Sequence, residues 1–345
     1  MLLGLDDITL IPAQMSTVRS RSECDPYYHE KRTMNGNYLP LFAAPMSSLI
    51  DTKNYNVFER CGIHTVIPRN VPVDDRISLC KYTFCAFGLR EIEEKFINDT
   101  PLGFCKMSGW NDAYVCIDIA NGHMEYLYQL CMKLKDRYQD RIHIMTGNVA
   151  NPNTYAYICD VYNGVVDYIR LGIGGGSCCT TSANTAIHYP MATLIARCYD
   201  ERASRNGEGC PKIIADGGFD SFDKIIKALA LGADYVMLGS VIAKSEEACG
   251  QTYDEENLRG RRTFRDYYGM STKKAQKELG NAELKTSEGI TRKVMVEYPI
   301  SKWVDNFTSY LRSAMSYMDV RSIGEFVGGV DYSSISPNAF KSFYK

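Results

Sequence analysis

The sequence predicts a closed (β/α)8 barrel, and three observations carry that prediction. Eight short apolar runs rich in β-branched residues alternate with longer amphipathic segments along most of the chain. Several of the runs are apolar almost throughout, as parallel strands covered on both faces must be. The first run is followed by Ala43-Ala44-Pro45-Met46-Ser47-Ser48 rather than by the GxGxxG turn that a doubly wound open sheet would usually show.

In chain order the expected strands are Leu39–Ala44, Ile63–Ile67, Thr83–Phe87, Tyr114–Asp118, Ile142–Thr146, Val166–Leu171, Lys212–Ala215 and Tyr235–Leu238. Expected helices between them include Met124–Tyr138, Asn153–Tyr162, Met191–Ser204 and Ser221–Leu231. No low-complexity linker, charge block or repeat marks a second compact unit, so residues 1–345 read as one barrel domain without an inserted regulatory domain. Residues 249–301, long, polar and Gly-containing, read as an elaborated loop over the barrel mouth, followed by a C-terminal segment 302–345.

The 345 residues are 45% hydrophobic and 23% charged, which suits a globular protein with a substantial core. A formal net charge of −2 gives no global reason to expect nucleic-acid or membrane-surface binding. No apolar run approaches the roughly 18–20 residues that span a bilayer. The opening Met1-Leu2-Leu3-Gly4-Leu5-Asp6-Asp7 lacks a signal peptide's basic and apolar regions, so a cytoplasmic protein is expected. The 13 cysteines include no CxxC pair, and the five His form no metal-ligand pattern. Apart from Cys178 and Cys179, the cysteines read as small buried hydrophobes.

In such a barrel the chemistry lies at the carboxyl ends of the strands. There the sequence places Asp118-Ile119-Ala120-Asn121-Gly122, Gly147-Asn148, Asp216-Gly217-Gly218 and Gly239-Ser240. Glycine turns after the last strands bring backbone N–H groups close to an anion, and a Ser hydroxyl adds a donor. After strand six comes Gly172-Ile173-Gly174-Gly175-Gly176-Ser177-Cys178-Cys179-Thr180-Thr181. A cysteine ending a loop that can fold sharply suits a nucleophile. From composition alone, a flexible turn with two incidental buried cysteines explains the run equally well.

That loop resembles the Gly-Ile-Gly-Pro-Gly-Ser-x-Cys-Thr-Thr segment of the IMP dehydrogenase and GMP reductase family. Ile214–Gly218, Gly232–Ser240, Tyr267-Tyr268-Gly269-Met270-Ser271 and the opening Leu5–Pro12 are similar to further family segments, in order and over nearly the whole chain. The resemblance implies that Cys179 is the nucleophile, with Cys178 in the variable position. By the same resemblance Ser177, Gly217, Gly218, Gly239, Ser240, Tyr268 and Gly269 surround the nucleotide, chiefly its 5′-phosphate. Asp216 would meet the ribose hydroxyls, and Met270 and Ser271 would lie along the base. Asp118, Asn148 and Arg170 would face the nicotinamide, with Arg312 near the dinucleotide. A monovalent cation, K+, at Gly174, Gly176 and Cys179 and a homotetrameric assembly are also implied.

Within the family three features resemble the reductase branch. No regulatory insert is present. Asp118-Ile119-Ala120-Asn121-Gly122-His123 with Glu125 is similar to a reductase segment. The short stretch from Gly269 to Glu288 contains lysines (Lys273, Lys274, Lys277, Lys285) but no Arg-Tyr pair to activate water, and Thr286-Ser287-Glu288-Gly289 resembles the reductase Ala-Ser-Glu-Gly. The resemblance thus implies reductive deamination of GMP to IMP and ammonia, with NADPH (or NADH) as hydride donor and Thr181 and Glu288 relaying protons for Cys179. Ser182 replaces a basic residue, Gly175 the loop proline, and Pro68-Arg69-Asn70 looks more like the dehydrogenase branch. The alternatives are an IMP dehydrogenase making XMP with NAD, or a nucleotide-binding regulator without turnover.

Overall fold

The structure, a computed structural model, describes residues 1–29, 36–98, 112–257, 260–280 and 286–343. Eight parallel strands close into a barrel: β1 Leu41–Ala43, β2 His64–Ile67, β3 Phe84–Phe87, β4 Ala113–Ile117, β5 Ile142–Val149, β6 Tyr168–Leu171, β7 Lys212–Asp216 and β8 Tyr235–Leu238. Each pairs with its sequence neighbours, and β8 closes on β1 with Val236 opposite Leu41 and Leu238 opposite Ala43. All eight expected strands are present; every end coincides or differs by one or two residues except that of β5, which runs three residues farther. Strands β3, β4 and β8 are buried at every position, which is why they read as unbroken apolar runs, and β2 is buried as fully although it opens with His64 and Thr65.

Helices follow the strands and cover the barrel: α1 Tyr55–Arg60, α2 Val73–Leu79, α3 Leu89–Ile92, α4 Glu125–Tyr138, α5 Pro152–Val161, α6 Met191–Ala203, α7 Phe222–Ala230 and α8 Ile300–Tyr317. On α4 the buried Leu127, Leu130, Cys131, Leu134 and Tyr138 recur at three- and four-residue spacing, forming one inward stripe. Helix α5 starts sharply because the Asn151 side chain accepts a hydrogen bond from the Asn153 N–H and Pro152 takes the first helical position.

The interior of the barrel is plugged near the strands' amino ends by aromatic side chains. Phe84, Tyr168 and Tyr235 each open their strand, and they pack edge-on with Phe42. Ring centroids are 5.8 Å apart for Phe42 and Phe84, 5.4 Å for Phe84 and Tyr168, and 5.1 Å for Phe42 and Tyr235. Such pairs add about 0.5–1.5 kcal/mol each beyond area burial. With that end filled, the carboxyl ends are left to the loops.

Residues 249–301 differ from the expected loop. They contain an antiparallel sheet of β9 Thr252–Asn257, β10 Gly260–Tyr268 and β11 Thr291–Met295, together with a helix at Lys273–Glu278. Glu255 lies opposite Arg262 and Glu256 opposite Arg261, so cross-strand charge pairs replace an apolar face. Burial in this sheet is confined to the end of β10, at Arg265, Tyr267 and Tyr268, so no apolar alternation runs along the strands and the strand signal is lost. Lys285 lies outside the described residues. Of the described cysteines, Cys61, Cys210 and Cys249 are only half-buried, and those other than Cys178 and Cys179 are otherwise buried as expected. No helix among the described residues is long and apolar enough to cross a membrane.

Candidate active site

The loop after β6 is held from two sides. Its Cys179 N–H donates to the Gly176 carbonyl at 2.9 Å, closing a tight turn. The segment before β11 then pairs with it: Thr180 N–H donates to the Glu288 carbonyl and Ile290 N–H to the Cys178 carbonyl, both at 2.9 Å. Glycine is required where the next loop approaches. Gly217 has φ +102°, and a Cβ there would sit 2.9 Å from the Gly176 nitrogen.

Adjacent cysteines meet opposite surroundings. Cys178 is 3% exposed, and its Sγ donates to the Tyr267 carbonyl at 3.4 Å. Burial pushes its thiol up to about 11, with Arg292 opposing, so near neutral pH it carries its proton. Cys179 is half-buried, and its Sγ donates to Thr181 Oγ1 at 3.3 Å. Thr181 Oγ1 in turn donates to Glu288 Oε2 at 2.7 Å. A thiol, a hydroxyl and a carboxylate thus stand in one hydrogen-bonded line, although 107 positions separate Thr181 from Glu288. This line can carry a proton away from sulfur or back toward a group bound beside it.

Cys179 lies on a cavity of about 460 Å³ formed by the loops after β1, β6, β7 and β8 and by the connection after β10. Asp118 and Arg170 line one side. Arg170 Nη1 donates to Asp118 Oδ1 at 2.7 Å, and its Nε and Nη2 donate to Asp216 Oδ2 at 3.1 and 2.9 Å. Burial alone would lower the Arg170 pKa, but Asp216 and Asp118 outweigh it and hold the guanidinium charged. Asn148 Nδ2 donates to the same Asp216 oxygen and to the Gly172 carbonyl, both at 2.8 Å. Asn148 is therefore a support behind Asp216 rather than a cavity wall. Among the described residues no donor reaches Asp216 Oδ1.

At the other end, Ser177, Gly217, Gly218, Gly239, Ser240, Gly269, Met270 and Ser271 line the cavity together, as expected. Tyr268 does not. Its hydroxyl donates to Glu278 Oε1 at 2.6 Å, and Glu278 also accepts from Ser47 Oγ at 2.6 Å. The neighbouring Tyr267 lines the cavity instead, and its hydroxyl fills the space that a Cβ at Gly239 would need. Successive residues of a strand face opposite sides, so only one of the pair can face the nucleotide site. Tyr267 is the correction. The strand's alternation could have raised the question, but two identical residues in sequence could not answer it.

Arg312 is not among the cavity-lining residues. It lies on α8, where its Nε donates to the Cys24 carbonyl at 3.1 Å. The carbonyls expected to hold a cation are partly engaged: Gly174 O accepts from Ser182 Oγ at 3.2 Å and Gly176 O from the Cys179 N–H. Ser182, standing where the family usually has a basic residue, thus ties the loop to itself. Lys224 also lines the cavity and was not anticipated; it follows the glycine turn, 3.1 Å from Asp220 Oδ1. Among the described residues no group of three or more His, Cys, Asp or Glu could hold a metal ion.

Comparison with known proteins gives the family. The model of the IMP dehydrogenase / GMP reductase domain matches residues 110–342. A protein named GMP reductase from Buchnera aphidicola subsp. Baizongia pistaciae is 30% identical over 349 residues, covering 97% of this chain and 94% of its own length. Proteins of the same name from Aliivibrio fischeri (strain ATCC 700601 / ES114) and Escherichia coli O81 (strain ED1a) are each 28% identical, covering 94% of this chain and 92% of their own. The chain belongs to the IMP dehydrogenase / GMP reductase family.

Proposed function

We propose that this protein is an oxidoreductase that converts GMP to IMP and ammonia with NADPH, through a covalent bond to Cys179. The observation that carries the reading is the line Cys179–Thr181–Glu288. Cys179 passes its proton through Thr181 to Glu288, and the thiolate adds to carbon 2 of the purine. The same proton then returns from Glu288 through Thr181 to the departing amino group, and the carbon–nitrogen bond breaks. The nicotinamide cofactor, when bound, supplies the hydride that reduces carbon 2 and allows the thiolate to leave.

The other residues bind and orient. Asp216 Oδ1 accepts from the ribose hydroxyls while its other oxygen is held by Arg170 and Asn148. Ser177, Ser240, Tyr267 and the backbone N–H groups of Gly217, Gly218 and Gly239 donate to the 5′-phosphate. Met270 and Ser271 lie along the base, and Asp118 with Arg170 faces the nicotinamide. Choice of NADPH over NADH and a homotetramer that brings Arg312 toward a neighbour's dinucleotide belong to the same reading, as does a cytoplasmic location. Light scattering that returned a fully active monomer would contradict the assembly.

Direction follows from what stands near the reacting carbon. Water must be activated to make XMP, and the stretch from Gly269 to Glu288 has no Arg-Tyr pair. Its Lys274 is held by Asp266 Oδ2 at 2.8 Å. Incubation with GMP and NADPH should release ammonia and IMP, while IMP with NAD should give little XMP. Robust XMP formation without ammonia from GMP would reverse the assignment.

A further inference from the structure

Beyond the phosphate end of the cavity lies a second space of about 830 Å³, and the two share Ser177, Asp220, Ser240 and Tyr267 as walls. The second space therefore borders the phosphate end directly, across those four residues. The charged groups around this groove are Asp220, Lys244, Arg292, Lys293, Glu297 and Lys302. Most are already matched: Lys244 pairs with Glu297 at 3.1 Å, Lys293 pairs with Glu255, and Asp220 pairs with Lys224 at 3.1 Å. Arg292 and Lys302 are exposed and have no acidic partner within ion-pair distance among the described residues. Two unmatched cations thus face the groove from two different elements, β11 and the first turn of α8.

The nucleotide cavity itself has the opposite balance. Its walls carry Asp118, Asp216 and Asp220 against Arg170 and Lys224, one more negative charge than positive. A lone 5′-phosphate would rest among neutral donors and the matched pair of Asp220 and Lys224, with the surplus positive charge one step farther out. We propose that the groove takes the terminal phosphate of a purine nucleoside 5′-diphosphate whose first phosphate occupies the monophosphate position. Arg292 and Lys302 meet the second phosphate. This assignment rests on the reading of the cavity as a purine-nucleotide site.

The test is equilibrium binding of GMP and GDP, separately, to the intact protein and to an Arg292→Ala/Lys302→Ala double variant, with inorganic phosphate plus GMP as a further arm. Two charge-assisted contacts at exposed side chains predict GDP binding about tenfold tighter than GMP at low salt. That gain shrinks as ionic strength rises and vanishes in the double variant, while GMP affinity changes less than about twofold. Both side chains are exposed, and comparing GMP binding between the two proteins reports directly on whether the variant is folded. Equal or weaker binding of GDP by the intact protein would overturn the proposal. A GDP preference that survives in the double variant would do the same, as would inorganic phosphate binding beside GMP with no gain for GDP. Failure of the intact protein to bind GMP at all would instead remove the nucleotide reading, and this assignment with it.

Discussion

The two ends of the cavity are built on different principles. At the reacting end charged groups are fixed by side-chain partners: Arg170 joins Asp118 to Asp216, and the Glu288 carboxylate accepts from Thr181. At the end proposed to hold the phosphate the walls are glycine backbone, hydroxyls and one matched pair, Asp220 with Lys224, and the unmatched charge stands outside, on Arg292 and Lys302. A reaction that moves protons and forms a bond to sulfur needs groups fixed in geometry and protonation state. Holding an anion needs many weak donors that leave room for it. Substitutions at the two ends should therefore fail differently, the first in turnover and folding, the second in affinity.

The largest effect is expected at the nucleophile. Cys179→Ala should lower turnover by about 10⁴-fold or more while GMP binding persists. Cys178→Ala should stay within a few-fold, because its thiol is buried and pushed up to about 11. The sign of that shift also sets a labelling test. A raised thiol pKa keeps Cys178 protonated from neutral pH up to about 11, so a thiol reagent at pH 8 should label Cys179 first, and GMP should protect it. Protection of Cys178 alone would show that the loop register is wrong.

Next in size come the relay and its charged neighbour. Glu288→Gln and Thr181→Val should each cost about 10²–10⁴-fold in kcat with little change in GMP affinity. Arg170→Leu removes the buried cation from the half-buried Asp118 and Asp216, which should destabilise the fold, read as a lower denaturation midpoint. A variant as stable as the parent would mean that the network is solvated and not structural.

The smallest effect separates two neighbours. Tyr267→Phe should raise KM for GMP by about tenfold, whereas Tyr268→Phe should leave KM nearly unchanged and act only through the Glu278 contact. The reverse order would restore Tyr268 to the phosphate.

How much of this was legible in the sequence follows the same division. The eight strands could be read because burial on both faces writes continuous apolar runs, as in Phe84–Phe87 and Tyr235–Leu238. The sheet of β9, β10 and β11 could not, since charged residues such as Glu255 and Arg262 stand opposite one another where an apolar face would have left a signal. Cys179, Thr181 and Glu288 were found through resemblance to family segments; spacing alone would not join Thr181 to a carboxylate 107 positions away. Asn148 and Arg312 do not line the cavity, and each is drawn to a backbone carbonyl that no sequence pattern announces. The charged groove was invisible for a plainer reason: its walls come from residues scattered between Ser177 and Asn306.

The central claim is that sulfur of Cys179 bonds to the purine as ammonia leaves. Its most direct test is rapid acid quenching of the protein mixed with GMP, followed by mass spectrometry of the peptides and measurement of free ammonia. The account predicts a purine-nucleotide adduct on Cys179, formed together with ammonia and missing in Cys179→Ala and strongly reduced in Glu288→Gln. An adduct on Cys178, or steady NADPH-dependent ammonia release by Cys179→Ala, would contradict it.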